Sequence, residues 1–181
     1  MAVLQTIETR LDEILGKKAP VQLPDNARRT LVEYLPWINL LLGVLTLWTA
    51  WVLWHWAHVA NVLVDYVNSL NQAYGVAPVA TRRLTAVVWL GIIVLLVEGL
   101  LFIAAFPGTR DRKKSGWDLL FYAALVNIAY GVVMLFSDYG GVGRLLGTLL
   151  SSVVGLYFLF QIRSYYTGRK AVSSTVAKSA K

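Results

Sequence analysis

One carboxyl side chain stands out because of its surroundings. Glu98 is the only ionisable residue in residues 84–106, an apolar run long enough to cross a lipid bilayer. A charge at that depth is costly, so such residues usually face a bundle interior and have a partner. Counted from the same side of the membrane, Asn127 of a later apolar run lies within roughly 3 Å of the depth of Glu98. Tyr130 and Ser152 are further candidate hydrogen-bond partners.

Two hypotheses follow for this intramembrane polar site. In the first, Glu98 is hydrogen-bonded to Asn127, Tyr130 or Ser152 and holds the helices in register. In the second, Glu98 is a protonatable coupling site of a small transporter or channel.

A second group of residues could bind a metal ion. His55 and His58 are three residues apart on one face of a helix, and Asp65 follows two turns later. Imidazoles at this spacing can share a metal, and an aspartate could complete the ligand set. The histidines lie among tryptophans, however, which collect at the membrane–water interface. We therefore interpret them as interfacial residues and predict no metal and no other cofactor.

The sequence contains no recognisable catalytic arrangement. It has no cysteine, which excludes disulfides and thiolate sites. Its densest glycine run, residues 140–144, lacks the preceding strand and the following Lys-Ser/Thr of a phosphate-binding loop. An enzyme would need a nucleophile with a base, two placed acids or a phosphate cradle. The prediction is therefore a protein without enzymatic activity.

Four apolar runs must position the polar residues. They are residues 36–56, 84–106, 119–136 and 145–162, in a chain of 181 residues that is 57% hydrophobic and 15% charged. A helix needs about 20 apolar residues to span the hydrocarbon layer, and a spanning segment must satisfy its own backbone groups. The predicted fold is all-α, an integral membrane four-helix bundle with a transmembrane domain over residues 36–162.

The basic residues are distributed unevenly between the two ends of these spans. Fourteen lie in the amino-terminal segment, the connection after the second span and the tail, whereas Arg82, Arg83 and Arg144 lie on the other side. Cytoplasmic segments of membrane proteins carry such an excess. The distribution predicts a multi-pass protein of the cell membrane, as in a bacterial inner membrane, with both termini cytoplasmic and no nucleic-acid partner. Four residues are expected to contact anionic lipid headgroups: Arg110, Arg112, Lys113 and Lys114.

Residues 1–35 predict amphipathic helices on the cytoplasmic side. The first has apolar residues at spacings of three and four and ends at Gly16; its apolar face is Leu4, Ile7, Leu11 and Ile14. The second runs from Asp25 to residue 35. We interpret this segment as an interfacial anchor, and docking onto a partner through a short coiled-coil seam is the alternative.

Two further segments flank the spans. Residues 57–74 keep a helical period and predict an amphipathic helix on the outer side. Residues 163–181 predict a basic cytoplasmic tail without a fixed structure, because they are polar and small.

Small residues recur every four positions in the fourth span, at Gly143, Gly147, Ser151 and Gly155. Such a face lets another helix approach closely, which is a usual means of association in lipid. The third span has a similar face around Asn127. We expect spans three and four to pack through these faces, with Glu98 turned inward.

These patterns favour a non-enzymatic accessory or scaffold protein that acts through helix–helix contacts, with a second copy or another membrane protein as its partner. The alternative is a small oligomeric transporter or channel that uses Glu98 and Asn127. A carrier needs a polar path along the bundle, and the spans offer few polar side chains for one.

Overall fold

The computed structural model describes residues 2–19, 21–77, 86–136 and 142–167. Within these ranges the chain is helical and forms no strand, which confirms the predicted fold class at that level. The elements are α1 (Ala2–Leu11), a π-helical turn (Asp12–Lys17), α2 (Asp25–Ala73), α3 (Ala86–Arg110), α4 (Lys114–Leu135) and α5 (Val142–Tyr166). Four of them, α2 to α5, are long and apolar enough to cross a membrane.

Helices α2 to α5 pack in chain order, each against the next, and α2 also contacts α5. The contact between α2 and α3 is the most extensive, and the contact between α2 and α5 is the slightest of these four. Three residues connect α3 to α4, so these two helices form a tight helical hairpin. The bundle is therefore least closed between α2 and α5.

Helix α2 unites three elements that the sequence predicts separately. It has 49 residues, or about 74 Å at 1.5 Å per residue, and it contains the short helix before Pro36, the first span and most of the predicted outer helix. Pro36 removes one backbone hydrogen bond, but Val32 and Pro36 itself are buried in the bundle. We attribute the continuity of the helix across the proline to this burial.

The carboxyl end of α2 lies where the glycine after Tyr74 predicts it. Gly75 has a φ of +68°, a left-handed conformation that costs glycine little. The N–H of Val76 donates to the carbonyl oxygen of Asn71 over 2.8 Å and closes the helix end. Residues 78–85 and 137–141 lie outside the described residues, as does the predicted tail from residue 168 onward. The helical part of that predicted tail, up to Tyr166, belongs to α5.

We call the end of the bundle that holds α1, the start of α2, the α3–α4 turn and the end of α5 the charged end. Trp117 is fully buried there, and its indole N–H donates to the carbonyl oxygen of Leu159 over 2.9 Å. Its ring stacks on Phe121 and meets Phe160 edge-on. This aromatic cluster fixes α4 against α5 at the charged end.

The amino-terminal segment docks onto this end of the same chain. Leu11 and Leu15 pack against the core cluster around Trp117. Arg163 of α5 forms ion pairs with Glu8 and with Asp12, the latter at 3.1 Å. The segment is thus held against α5 of the same chain.

The apolar face of the amino-terminal segment also differs from the prediction. Ile7 and Ile14 are exposed, whereas Leu15 and not Ile14 reaches the core. The cause is the π-helical turn, shown by the bond from the N–H of Lys18 to the carbonyl oxygen of Glu13. Such a turn has more residues than an α-helical turn, so the residues after Leu11 leave the predicted face. The segment also continues past Gly16, where the sequence predicts its end.

Two close approaches of backbone to backbone depend on glycine. At the crossing of α2 and α3, a side chain on Gly43 would come within 2.7 Å of Ile103 and 3.1 Å of the carbonyl oxygen of Gly99. At the α3–α4 hairpin, a side chain on Gly108 would come within 2.6 Å of the backbone of Gly116. At the hairpin, a Cβ atom would require the backbone to move, whereas at the α2–α3 crossing it would require a shift of the Ile103 side chain.

Candidate functional site

A chain of hydrogen bonds joins α3, α4 and α5 in the middle of the bundle. The side-chain amide of Asn127 donates to Oε1 of Glu98 over 2.9 Å. The Ser152 hydroxyl donates to Oδ1 of Asn127 over a longer 3.4 Å. Glu98 and Ser152 are buried. The structure thus brings three of the four predicted polar residues together, with Asn127 at the centre.

Glycines on either side of this polar chain determine its position. Gly99, next to Glu98, allows the close crossing of α3 with α2. Gly131, one turn after Asn127, leaves room for Thr148 of α5, whose methyl group lies 2.8 Å from where a Cβ atom would be. Ser152 is one turn after Thr148, so this contact brings its hydroxyl to Asn127.

Tyr130 lies beside the polar chain. Its hydroxyl is against α3 at Gly91, where an added Cβ atom would come within 2.7 Å of the phenolic oxygen. Tyr130 lines one cavity together with Glu98 and Asn127. It therefore belongs to the surroundings of the site, about one turn further from the charged end.

Two cavities meet at the Glu98–Asn127 pair. The first, which we call the lateral cavity, has a volume of about 420 Å³ and is lined by α2, α3, α4 and α5 on the side of the charged end. The second, the distal cavity, has a volume of about 310 Å³ and is lined by α2, α3 and α4 on the other side. Each cavity is lined mostly by apolar residues, and the polar pair Glu98 and Asn127 lines both.

Asn39 of α2 is a functional candidate that the sequence interpretation missed. It lines the lateral cavity and is 97% buried, with 3% of its surface exposed. Among the described residues, its side-chain N–H group has no hydrogen-bond partner. An unpaired buried amide is costly, so it marks a place where a partner could bind. The sequence signal that could have identified Asn39 is its polar amide side chain within the first apolar run, residues 36–56.

The small-residue face of α5 does not pack where the sequence predicts. A Cβ atom added to Gly143, Gly147 or Gly155 would meet no described atom within 4 Å, and Ser151 is exposed. Thr148 and Ser152, each one residue later, face α4 instead. One residue corresponds to about 100° of rotation around a helix. The prediction that spans three and four pack through both small faces is therefore wrong for α5.

The two histidines are part of an exposed aromatic surface of α2. His55 stacks on Trp51 with ring centroids 5.9 Å apart, and His58 stacks on Trp54 at 6.2 Å. Asp65 is exposed further along the same helix. Within the described ranges, no three His, Asp or Glu side chains are grouped closely enough to bind a metal ion.

The four basic residues of the α3–α4 connection differ in their surroundings. Lys113 forms a 2.8 Å ion pair with Asp111, and its hydrogen bond and charge hold the pKa of that carboxyl below the usual value. Lys114 lies 3.7 Å from Glu8 and 3.8 Å from Asp118. Arg110 and Arg112 are exposed, and Arg112 has a positive φ of 54° at the tip of the turn.

No protein-family model, curated protein or solved structure matches this sequence, so its own residues carry the functional inference.

Proposed function

We propose that this protein is an integral membrane protein without enzymatic activity that acts through helix–helix contacts, as an accessory subunit or scaffold. One observation carries the proposal, namely that the small-residue face of α5 is open. Its glycines meet no described side chain or backbone atom. Large apolar side chains beside it, such as Leu146 and Leu150, are also exposed.

The chain itself demonstrates the kind of contact that this face would make. Where α2 crosses α3, a Cβ atom on Gly43 would lie 3.1 Å from the carbonyl oxygen of Gly99, so the two helix backbones approach closely. Lipid chains are as apolar as the side chains, so burying an apolar side chain between two membrane helices gives little hydrophobic stabilisation. Helices in lipid therefore associate through close packing of small-residue faces. A helix of a second copy would fit the open face of α5 in the same way.

The membrane orientation is part of the same proposal. The excess of basic residues at the charged end favours a cytoplasmic location for this end and for both termini. Exposed Arg110 and Arg112 at the α3–α4 turn are placed to contact anionic headgroups. Trp48, Trp51, Trp54 and Trp56 of α2 would then lie near the outer interface.

Disulfide cross-linking tests the contact directly, because the chain has no cysteine of its own. Gly147→Cys, oxidised in membranes, should give a cross-linked dimer. Val153→Cys is the matched control, since Val153 is also exposed on α5 but lies about 120° away from Gly147 around the helix. Equal cross-linking of the two variants would indicate random collision and would contradict the proposal.

Two substitutions separate the scaffold from a function centred on Glu98. Gly147→Leu adds bulk to the open face and should reduce the assembled fraction, whereas Glu98→Gln should leave assembly intact. The measurement is the mass of the purified protein in lipid nanodiscs. If only Glu98→Gln changes the mass, helix association through α5 is wrong.

A small oligomeric transporter or channel is the second candidate, and one observation favours it. Glu98 and Asn127 line both the lateral and the distal cavity, so the pair separates two spaces on opposite sides of the bundle. A protonatable group between two such spaces is typical of coupled carriers. Proteoliposomes with a pH gradient would then show proton influx that Glu98→Gln abolishes.

A further inference from the structure

The lateral cavity is open toward the surroundings of the bundle between α2 and α5. Its exposed lining residues are confined to these two helices: Ile38 and Leu42 on α2, and Ser151, Gly155 and Phe158 on α5. Its deep lining, such as Leu120 and Leu159, is buried. The slight contact between α2 and α5 explains the opening. In a membrane, this opening would face lipid chains.

The cavity continues toward the charged end as a groove. The groove is lined by residues of the segment before α2 and by its first turns, including Pro24, Asn26, Thr30 and Tyr34. It shares Leu31, Ile38 and Phe158 with the lateral cavity. Together they form one path that is mostly apolar along its length, with Asn26, Thr30 and Tyr34 near the charged end and the Glu98–Asn127 pair at its deep end.

Asn39 lines the lateral cavity next to Ile38, which both parts share. It is three residues, or about 5 Å, inside the first apolar run, at the boundary between headgroups and hydrocarbon. Its buried amide N–H group has no partner among the described residues. A carbonyl oxygen in the cavity would complete this hydrogen bond.

We propose that the lateral cavity and its groove bind one glycerolipid of the bilayer. The acyl chain occupies the apolar cavity, the ester carbonyl accepts a hydrogen bond from the Asn39 amide, and the headgroup lies in the groove near Tyr34. The volume of about 420 Å³ is within the usual range of ligand pockets. This site rests on the membrane insertion included in the proposed function, and its mouth shares Ser151 and Gly155 with the face of α5 proposed for association.

Photolabelling in vesicles tests the site. The probe is a phosphatidylglycerol with a photoreactive diazirine in its acyl chain, and adducts on the wild-type protein are mapped by mass spectrometry of its peptides. Adducts on buried Leu120 and Leu159 require a lipid inside the cavity. Leu41 and Val44, exposed on α2, report contact with the bulk bilayer.

Two exposed positions of α5 provide a matched pair of variants. Gly155 lines the cavity, and a Cβ atom added there would meet no described atom within 4 Å. Val153 is exposed on the same helix and lines neither the cavity nor the glycine face. Gly155→Phe should fill the mouth and remove most adducts on Leu120 and Leu159. Val153→Phe should leave them unchanged.

Asn39→Leu tests the hydrogen bond separately. Loss of one hydrogen bond should weaken lipid retention about fivefold, measured by competition of the probe with unlabelled lipid. The variant should remain folded, because it removes a donor that the protein alone leaves unpaired. If Asn39→Leu does not purify as a monodisperse species, Gly155→Phe decides the question.

The outcomes separate the two proposals. Labelling of Leu41 and Val44 without labelling of Leu120 and Leu159 would overturn the lipid site and leave membrane insertion intact. Cavity labelling that Gly155→Phe does not reduce would also overturn it. Absence of labelling at all four positions would contradict membrane insertion itself. Loss of the Gly147→Cys cross-link, by contrast, concerns only the scaffold.

Discussion

Glycine lines two kinds of helix surface in this protein, and their surroundings are opposite. At the crossing of α2 with α3 and at the α3–α4 hairpin, each glycine faces backbone or a packed side chain closer than a Cβ atom would tolerate. On α5, Gly143, Gly147 and Gly155 face no described atom within 4 Å. The first kind is closed by the chain itself, and the second is open.

The difference shows what a small-residue pattern determines in a membrane helix. The regular four-residue spacing on α5 marks a face that another helix could approach. The closed crossing of α2 and α3 needs only Gly43 and Gly99, which form no such repeat within their own spans. A repeat therefore indicates an available surface, whereas the partner that closes it depends on the rest of the bundle.

The largest effect is expected at the α3–α4 hairpin. In Gly116→Ala, the added methyl group would overlap the backbone of Gly108 and Thr109, which cannot move away as a flexible side chain could. Overpacking usually costs 1–3 kcal/mol, and we expect about 3 kcal/mol or more here. Thermal unfolding of the purified protein measures it. Ser115→Ala, at the exposed neighbouring position, is the control, and equal stability of the two variants would refute the closed crossing.

The same substitution should have opposite signs at the closed and the open surface. Gly43→Ala places its methyl group 2.7 Å from Ile103 and should destabilise the fold by about 1–3 kcal/mol. Gly147→Ala meets no described atom, and alanine is favoured over glycine in a helix by about 0.5–1 kcal/mol. Thermal unfolding should therefore show a lower midpoint for Gly43→Ala and an unchanged or higher one for Gly147→Ala. A shift of the same sign in both would remove the distinction between the surfaces.

Much of the fold could be predicted because hydrophobic length is a direct signal. Each predicted span lies largely within one of α2 to α5, since about 20 apolar residues leave few alternatives to a helix. The proximity of Glu98 and Asn127 could also be anticipated, because depth along a helix follows from counting residues.

The rotation of each helix about its axis could not be predicted in the same way. A membrane helix that is apolar on all sides carries no amphipathic signal to identify its packed face. On α5, the packed face begins at Thr148, one residue after Gly147, and only the arrangement of the neighbouring helices reveals this. The docking of the amino-terminal segment likewise depends on contacts distant in sequence. Gln161 donates to the carbonyl oxygen of Leu15 and accepts from Arg28.

The smallest expected effect lies at the boundary between the two faces of α5. Ser151 and Ser152 are adjacent and chemically identical, but the Ser151 hydroxyl bonds to the carbonyl oxygen of Thr148 within its own helix, on the exposed side. The Ser152 hydroxyl is buried and donates to Asn127 of α4. Ser152→Ala leaves the Asn127 oxygen without this donor, so we expect a loss of about 0.5–1 kcal/mol, at the lower end because the bond is long.

Ser151→Ala should change the unfolding midpoint by less than the experimental error, since a solvent- or lipid-exposed substitution away from such contacts usually stays within about 0.5 kcal/mol. The double variant Ser151→Ala/Ser152→Ala should behave as Ser152→Ala alone, because the two hydroxyls share no partner in the structure. A larger effect of Ser151→Ala than of Ser152→Ala would place the packed face of α5 where the glycine repeat is. The open surface, and the helix–helix association proposed for it, would then have to be assigned to the other side of the helix.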